Sequence, residues 1–163
     1  MRHCILEDSS FLIGTIDTKD KFHKYAIGLE KVILNHPDIS PKIWRIFPSI
    51  VLLETTAVLL RRGMSPVDVE TKLWNFLHLP HVLPVSVPET LFIKFVKLPR
   101  PFWELKTSDL TLTTLAVQYD AQILTFDKKL KNRISSSYRY IYNCSNKDEI
   151  RAFVEDLFEK IQK

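Results

Sequence analysis

The chain has 163 residues, 45% of them hydrophobic, a formal net charge of +4 and two cysteines. That length fits one domain with a sizeable core, and the mild basicity permits nucleic-acid binding without demanding it. Cys4 and Cys144, with no CxxC, exclude a disulfide scaffold and a thiolate zinc site, while three glycines leave no material for a P-loop or a dinucleotide fingerprint.

The first apolar run, Cys4-Ile5-Leu6 closed by Glu7-Asp8, reads as a buried parallel strand. It is too short and charged too early for a signal peptide. No apolar stretch approaches the roughly 20 residues of a membrane span, which places the protein in the cytoplasm. A helical stretch follows over about Lys21 to Asn35, with Phe22, Ala26, Leu29, Val32 and Ile33 at helical spacing. Asp17 and Asp20, in the polar stretch before it, read as solvent-exposed.

Arg45 to Pro48 reads as a short strand, with Ser49 as cap of a helix from Ile50 to Arg62 that Gly63 stops. Ser65-Pro66 opens another helix, to about Leu77. His81 to Val87 reads as a strand that Pro84 pushes towards an edge. A helix from Pro88 to about Lys97 and the proline-rich Leu98 to Pro101 come next. Ser108 then reads as the cap of a helix from Asp109 to Tyr119. Strand Gln122 to Phe126 ends in Asp127, before the basic run Lys128 to Arg133. Tyr138 to Tyr142 is the last strand. Asn146 caps a final helix from Lys147 to Lys163, with Ile150, Phe153, Val154, Leu157 and Ile161 on one face and Phe158 beside them.

Strands alternating with helices predict an α/β fold with a mostly parallel central sheet between helical layers. Ligands of such sheets sit beyond the carboxyl ends of the strands. Asp8 and Asp127 stand at strand ends, Asp109 at a helix start, and Glu54 is the one charge between Ile50 and Leu60. Carboxylates in apolar surroundings are costly when unpaired, and carboxylates gathered together repel unless cations intervene. An all-oxygen set of this kind suits Mg2+ or Mn2+ rather than zinc.

Leu6-Glu7-Asp8-Ser9-Ser10, Pro48-Ser49 through Leu53-Glu54, Ser108-Asp109-Leu110 and Leu124-Thr125-Phe126-Asp127, in this order, resemble the PIN-domain nucleases, most closely the VapC-type toxins of toxin–antitoxin systems. The resemblance is strongest over residues 5–130. It implies a three-layer α/β/α PIN-like domain spanning 1–163, with the last strand and helix, 138–163, packed on it. Metal-dependent hydrolysis of RNA is the implied activity, with one or two Mg2+ or Mn2+ ions held by Asp8, Glu54, Asp109 and Asp127. Ser9 and Thr125 match the family's supporting hydroxyls. An antitoxin protein and a homodimer are the implied partners. Lys128, Lys129, Lys131 and Arg133, following Asp127, are candidates for guiding the RNA backbone. The alternative is a PIN-like RNA-binding or protein-interaction module without catalysis. The turn Tyr119-Asp120-Ala121 departs from the family, where a glycine is common.

Overall fold

A computed structural model describes residues 2–34 and 36–162, without the side chains of Val32 and Ile33. Asn35 and Lys163, the expected ends of two helices, lie outside the described residues, as do the core roles expected of Val32 and Ile33. Five parallel strands form the sheet in the order β3-β2-β1-β4-β5. They are β1 (His3–Glu7), β2 (Ile43–Pro48), β3 (Val82–Val85), β4 (Gln122–Thr125) and β5 (Ile141–Asn143). Pro84 sits in edge strand β3, where its missing N–H is tolerated.

Helices cover both faces, because parallel strands with apolar side chains on both sides need both covered. The first face of the core joins Leu6, Ile46 and Ile123 to Val51 and Leu59 of α3 (Ser49–Arg61), Val69 and Phe76 of α4 (Pro66–Leu77), and Leu112 and Leu115 of a later helix, Thr107–Tyr119. The second joins Ile5, Ile43 and Leu124 to Ala26 and Leu29 of α2 (His23–Leu29) and to Phe153 and Leu157 of the last helix, Lys147–Gln162. That last helix is packed as its apolar stripe predicts: the Tyr142 hydroxyl donates to Asp156, while Phe158 is exposed.

Several local expectations are revised. Helix α1 (Ser9–Ile16) starts directly after Asp8, where no helix was foreseen; its apolar residues are buried almost all round, which removes the amphipathic signal. A π-helical turn over Glu30–Leu34 extends α2. The 88–97 segment forms only α5 (Leu91–Phe95), and the proline-rich stretch contributes α6 (Arg100–Trp103). The helix expected from Asp109 is α7 (Thr107–Tyr119), and the basic run is α8 (Lys128–Ile134). Neither Ser49 nor Ser108 is a cap. Pro48 and Lys106 have the extended backbone an N-cap needs, so each helix begins earlier.

Ser65 does cap α4, its Oγ accepting from the Asp68 N–H at 3.1 Å. Asn146 likewise caps α9 (Lys147–Gln162), its Oδ1 accepting from the Asp148 N–H at 2.9 Å. Gly63 stops α3 at φ 86°. Asp120 takes a left-handed backbone (φ 48°) that glycine adopts without strain, with Lys160 2.9 Å from its carboxylate. Asp17 and Asp20 are not free in solvent: Arg62 donates to them at 3.0 and 2.7 Å, and Asp17 is buried.

Candidate active site

The carboxyl ends of β1 and β4 lie side by side, with Glu7 paired to Leu124 in register. The Asp8 N–H extends that ladder by donating to the Leu124 carbonyl at 3.0 Å. Asp8 thus leaves the sheet at a fixed point, in the N-cap position of α1, yet its side chain makes no cap. It turns to accept from the Ser10 hydroxyl at 2.6 Å and the Thr125 hydroxyl at 2.8 Å, both at Oδ2. Each hydroxyl is oriented in turn by a backbone donor, Phe126 N–H on Ser10 Oγ and Asp127 N–H on Thr125 Oγ1, both at 2.9 Å. Ser9 lies 3.4 Å from Asp8 Oδ1, a long contact. Of the two serines, Ser10 thus makes the short contact to Asp8 beside Thr125, and Ser9 makes only the long one. The signal for Ser10 was its hydroxyl two residues after the carboxylate.

Asp127 caps α8, its Oδ1 accepting from the N–H groups of Lys129 and Leu130 at 2.7 and 3.2 Å. Asp109 sits in the first turn of α7, where the helix dipole favours negative charge. Glu54 projects from the second turn of α3; its Oε2 is buried and has no hydrogen-bond partner among the described residues.

Electrostatics ties the four together. Burial pushes the Asp109 carboxyl up to about 7, Asp8, Glu54 and Asp127 add to the rise, and Lys106 opposes it. Asp8 is raised too, first by burial and also by Glu54, against the hydroxyls of Ser10 and Thr125 that hold it down. All four sequence-predicted acids, carried by separate elements, thus act on one neighbourhood.

The donor set fits a hard divalent cation. It is all carboxylate oxygen, and an orphaned buried oxygen on Glu54 awaits a partner. Among the described residues no three acidic, histidine or cysteine side chains are close enough to share one ion. A Mg2+ ion that keeps several waters needs only one or two of these carboxylates.

The basic run divides in two. Lys128 and Lys129 are exposed at the start of α8. Lys131 is engaged: its Nζ donates to the Ile141 carbonyl at 2.5 Å and lies 3.1 Å from Glu149. Arg133 donates to the Glu104 carbonyl at 2.9 Å.

A second charge cluster, missed in the sequence, lies beside the first. Arg45 is 1% exposed and donates to Glu7 at 2.6 and 2.9 Å. It also donates to Glu30, through Nη1 at 2.9 Å and through Nη2. Burial raises the Glu7 carboxyl; Arg45 pulls it down and Glu30 pushes it further up. The available signal was Arg45 itself, a lone charge inside the apolar strand Ile43–Pro48.

The PIN domain family model matches residues 5–133. Solved structures share the fold at low identity. The VapC20 toxin of Mycobacterium tuberculosis, which cleaves the sarcin–ricin loop, is 18% identical with a TM-score of 0.60, covering 82% of this chain and 95% of that one. VapBC2 of Rickettsia felis, bound to a fragment of its promoter DNA, is 15% identical with a TM-score of 0.58 over 79% and 92% of the two chains. FitAcB of Neisseria gonorrhoeae is 14% identical with a TM-score of 0.56 over 87% and 99%. No curated protein sequence matches.

Proposed function

The chain belongs to the PIN domain family, and from that premise we propose that it is a metal-dependent endoribonuclease acting in the cytoplasm as the toxin of a toxin–antitoxin pair. The observation that carries this reading is the convergence of Asp8, Glu54, Asp109 and Asp127 on one neighbourhood at the carboxyl end of the sheet. Asp8, Asp109 and Asp127 would hold one or two Mg2+ or Mn2+ ions, no more than two side chains on any one ion and the rest of its shell water, with Glu54 as a ligand or as the group that orients the attacking water. When bound, the ion supplies positive charge that activates water near neutral pH and offsets charge on the leaving oxygen.

The chain's own residues do the positioning. Ser10 and Thr125 fix Oδ2 of Asp8 and leave Oδ1 with only the long Ser9 contact. Asp127 spends one oxygen on the start of α8, which sets the direction of the other. Lys128 and Lys129, exposed next to Asp127, are free to meet the phosphate backbone.

The antitoxin reading is supported by the fold neighbours, among them a Klebsiella pneumoniae structure described as a toxin–antitoxin complex. The test is cleavage of RNA by the purified protein with Mg2+ or Mn2+, with EDTA, and by Asp8→Asn. Cleavage that needs the ion and Asp8 supports the reading; cleavage equally fast in EDTA or by Asp8→Asn sinks it. Co-purification with the product of a neighbouring gene that silences the cleavage is the expected result for the partner.

A further inference from the structure

Next to the acids lies a polar cleft of about 470 Å3, between α8 and the turn from β5 into α9, lined by Lys128, Lys131, Asn143, Ser145, Lys147 and Glu149 among others. Its position is fixed by the sheet: Asn143 pairs in register with Thr125, the residue whose hydroxyl holds Asp8. Strand spacing is about 4.8 Å, so the cleft floor stands two strands, about 10 Å, from the end of β1. We infer that this cleft is a phosphate subsite, holding the backbone of the RNA strand beside the position of cleavage. The inference rests on the RNA-cleaving reading above for its ligand and goes beyond it in naming the path.

The central observation is Asn143. It is 3% exposed, and its Oδ1 accepts from both the Ser145 N–H, at 2.9 Å, and the Ser145 hydroxyl, at 2.7 Å. The backbone donor fixes which end of the amide is oxygen. That leaves the Nδ2 group, with two N–H donors, and it has no acceptor among the described residues. Asn143 lines the cleft, so this amide can offer its two donors to an acceptor that enters from solvent.

The surrounding charge states which acceptor. Glu149, the one acid in the lining, has its charge met by Lys131: its Oε2 accepts from the Asn143 N–H at 2.7 Å and lies 3.1 Å from Lys131 Nζ. Lys131 is thereby a wall of the cleft, tying α8 to β5 and α9. Lys128 and Lys147 stand exposed on opposite lips, without an ion pair among the described residues. Two uncommitted cations above an idle amide donor match a phosphodiester, whose oxygens are anionic acceptors. The sequence's basic run is thus refined: the cleft takes Lys128 from it and adds Lys147 and Asn143 from elsewhere.

The test is binding of a single-stranded RNA oligonucleotide across a salt series, in an Asp8→Asn background so that cleavage does not interfere. Lys128→Glu with Lys147→Glu should flatten the dependence of log affinity on log salt by about 1.4, from roughly 0.7 per phosphate contact on single strands. Asn143→Asp keeps the acceptor for Ser145 but removes the donor, and should weaken binding as well. The charge-matched pair Arg2→Glu and Lys42→Glu, just before β1 and β2 at the opposite end of the sheet, should leave the salt slope where it was. If the cleft pair behaves like this control, the subsite is overturned while the nuclease reading stands. A marked preference for oligonucleotides with a terminal phosphate over those with hydroxyl ends would overturn the assignment to the backbone. Should the protein neither bind nor cut RNA, the functional reading falls, and inorganic phosphate decides the subsite alone. Its titration should shift the Asn143 side-chain amide resonances in the parent and not in the Lys128/Lys147 variant; no shift in the parent overturns it.

Discussion

Strand β1 ends in two consecutive carboxylates that meet opposite fates. Glu7 turns to Arg45 and Glu30 in a buried cluster that carries its own guanidinium. Asp8, one residue on, turns to two hydroxyls in a cluster with Glu54, Asp109 and Asp127, where the cation acting on Asp109 is the exposed Lys106 at the start of α7. Adjacent residues of an extended chain point to opposite sides, so one strand end feeds both. The difference separates two uses of buried charge. Where the negative charge serves the fold, the chain supplies the counter-ion. In the cluster proposed to hold a cation, the chain leaves the balance open and the folded protein carries the repulsion.

The guanidinium cluster gives the largest effect. Arg45→Ala strands two buried carboxylates, and removing one partner of a buried ion pair costs about 3–5 kcal/mol. Urea denaturation should show that loss. Replacing all three residues together, as Glu7→Leu, Arg45→Met and Glu30→Leu, should recover most of it, because well-packed apolar groups can substitute for a buried ion cluster. A loss under 1 kcal/mol for Arg45→Ala would end the comparison, since the two clusters would then be equally dispensable to the fold.

Asp8→Asn should do the reverse. Its Oδ1 can still accept from Ser10 and Thr125, so the fold survives, and the removed charge relieves Asp109. Cleavage should fall by more than the roughly 10- to 100-fold that even a supporting neighbour of a metal ligand is worth. Rate assays paired with denaturation would check both halves. A variant that is much less stable and still active would show that Asp8 belongs with the structural charges.

The contrast also explains what could be read from the sequence. The acids proposed for the site drew attention from the sequence because Asp8 and Asp127 close apolar strands, Asp109 opens a helix and Glu54 is the one charge between Ile50 and Leu60, and the parallel sheet because its strands are apolar on both faces. Arg45 carried the same mark as Glu54, a single charge inside an apolar element, but its partners Glu7 and Glu30 come from distant segments that only the tertiary fold brings together. Helix α1 was illegible for a related reason: with nearly every side buried, it has no polar face to betray a period. The cap assignments failed locally. Serine favours the N-cap, but Pro48 and Lys106 already hold the backbone shape that defines it.

Ser10 sharpens the comparison at a finer scale, because here the chain stabilises negative charge with hydroxyls instead of cations. Ser10→Ala removes a 2.6 Å donor from Asp8 and frees a Phe126 N–H. Metal affinity or cleavage should drop about 10- to 100-fold, the usual weight of a partner that orients a ligand. Ser9→Ala, across 3.4 Å, should change little. Calorimetric Mn2+ titration of the two variants separates them, and equal losses would return Ser9 to the role its place beside Asp8 suggested.

The smallest effect is the most direct measure of the open balance. Asp109 is pushed up to about 7 in the folded protein, chiefly by burial and then by the other acids, against about 3.9 in an unfolded chain. A raised folded pKa means that the native state holds the proton more tightly. Below about pH 4 both states are protonated and the site costs nothing; as pH climbs through 7 the native state loses its advantage and the metal-free protein weakens. Asp109→Asn removes that charge, so at pH 8 without metal the variant should be the more stable, by about 1 kcal/mol, since water screens a carboxyl that is only part-buried. The gain should shrink as pH falls from 7 and vanish near 4. Glu7 is also raised, but it titrates in parent and variant alike and cancels in the difference. Adding Mg2+ or Mn2+ at pH 8 should close the gap from the other side, by stabilising the parent more than the variant. If the gap is flat with pH and indifferent to the ion, Asp109 carries no share of the repulsion, and its place in the first turn of α7 is an ordinary helix start.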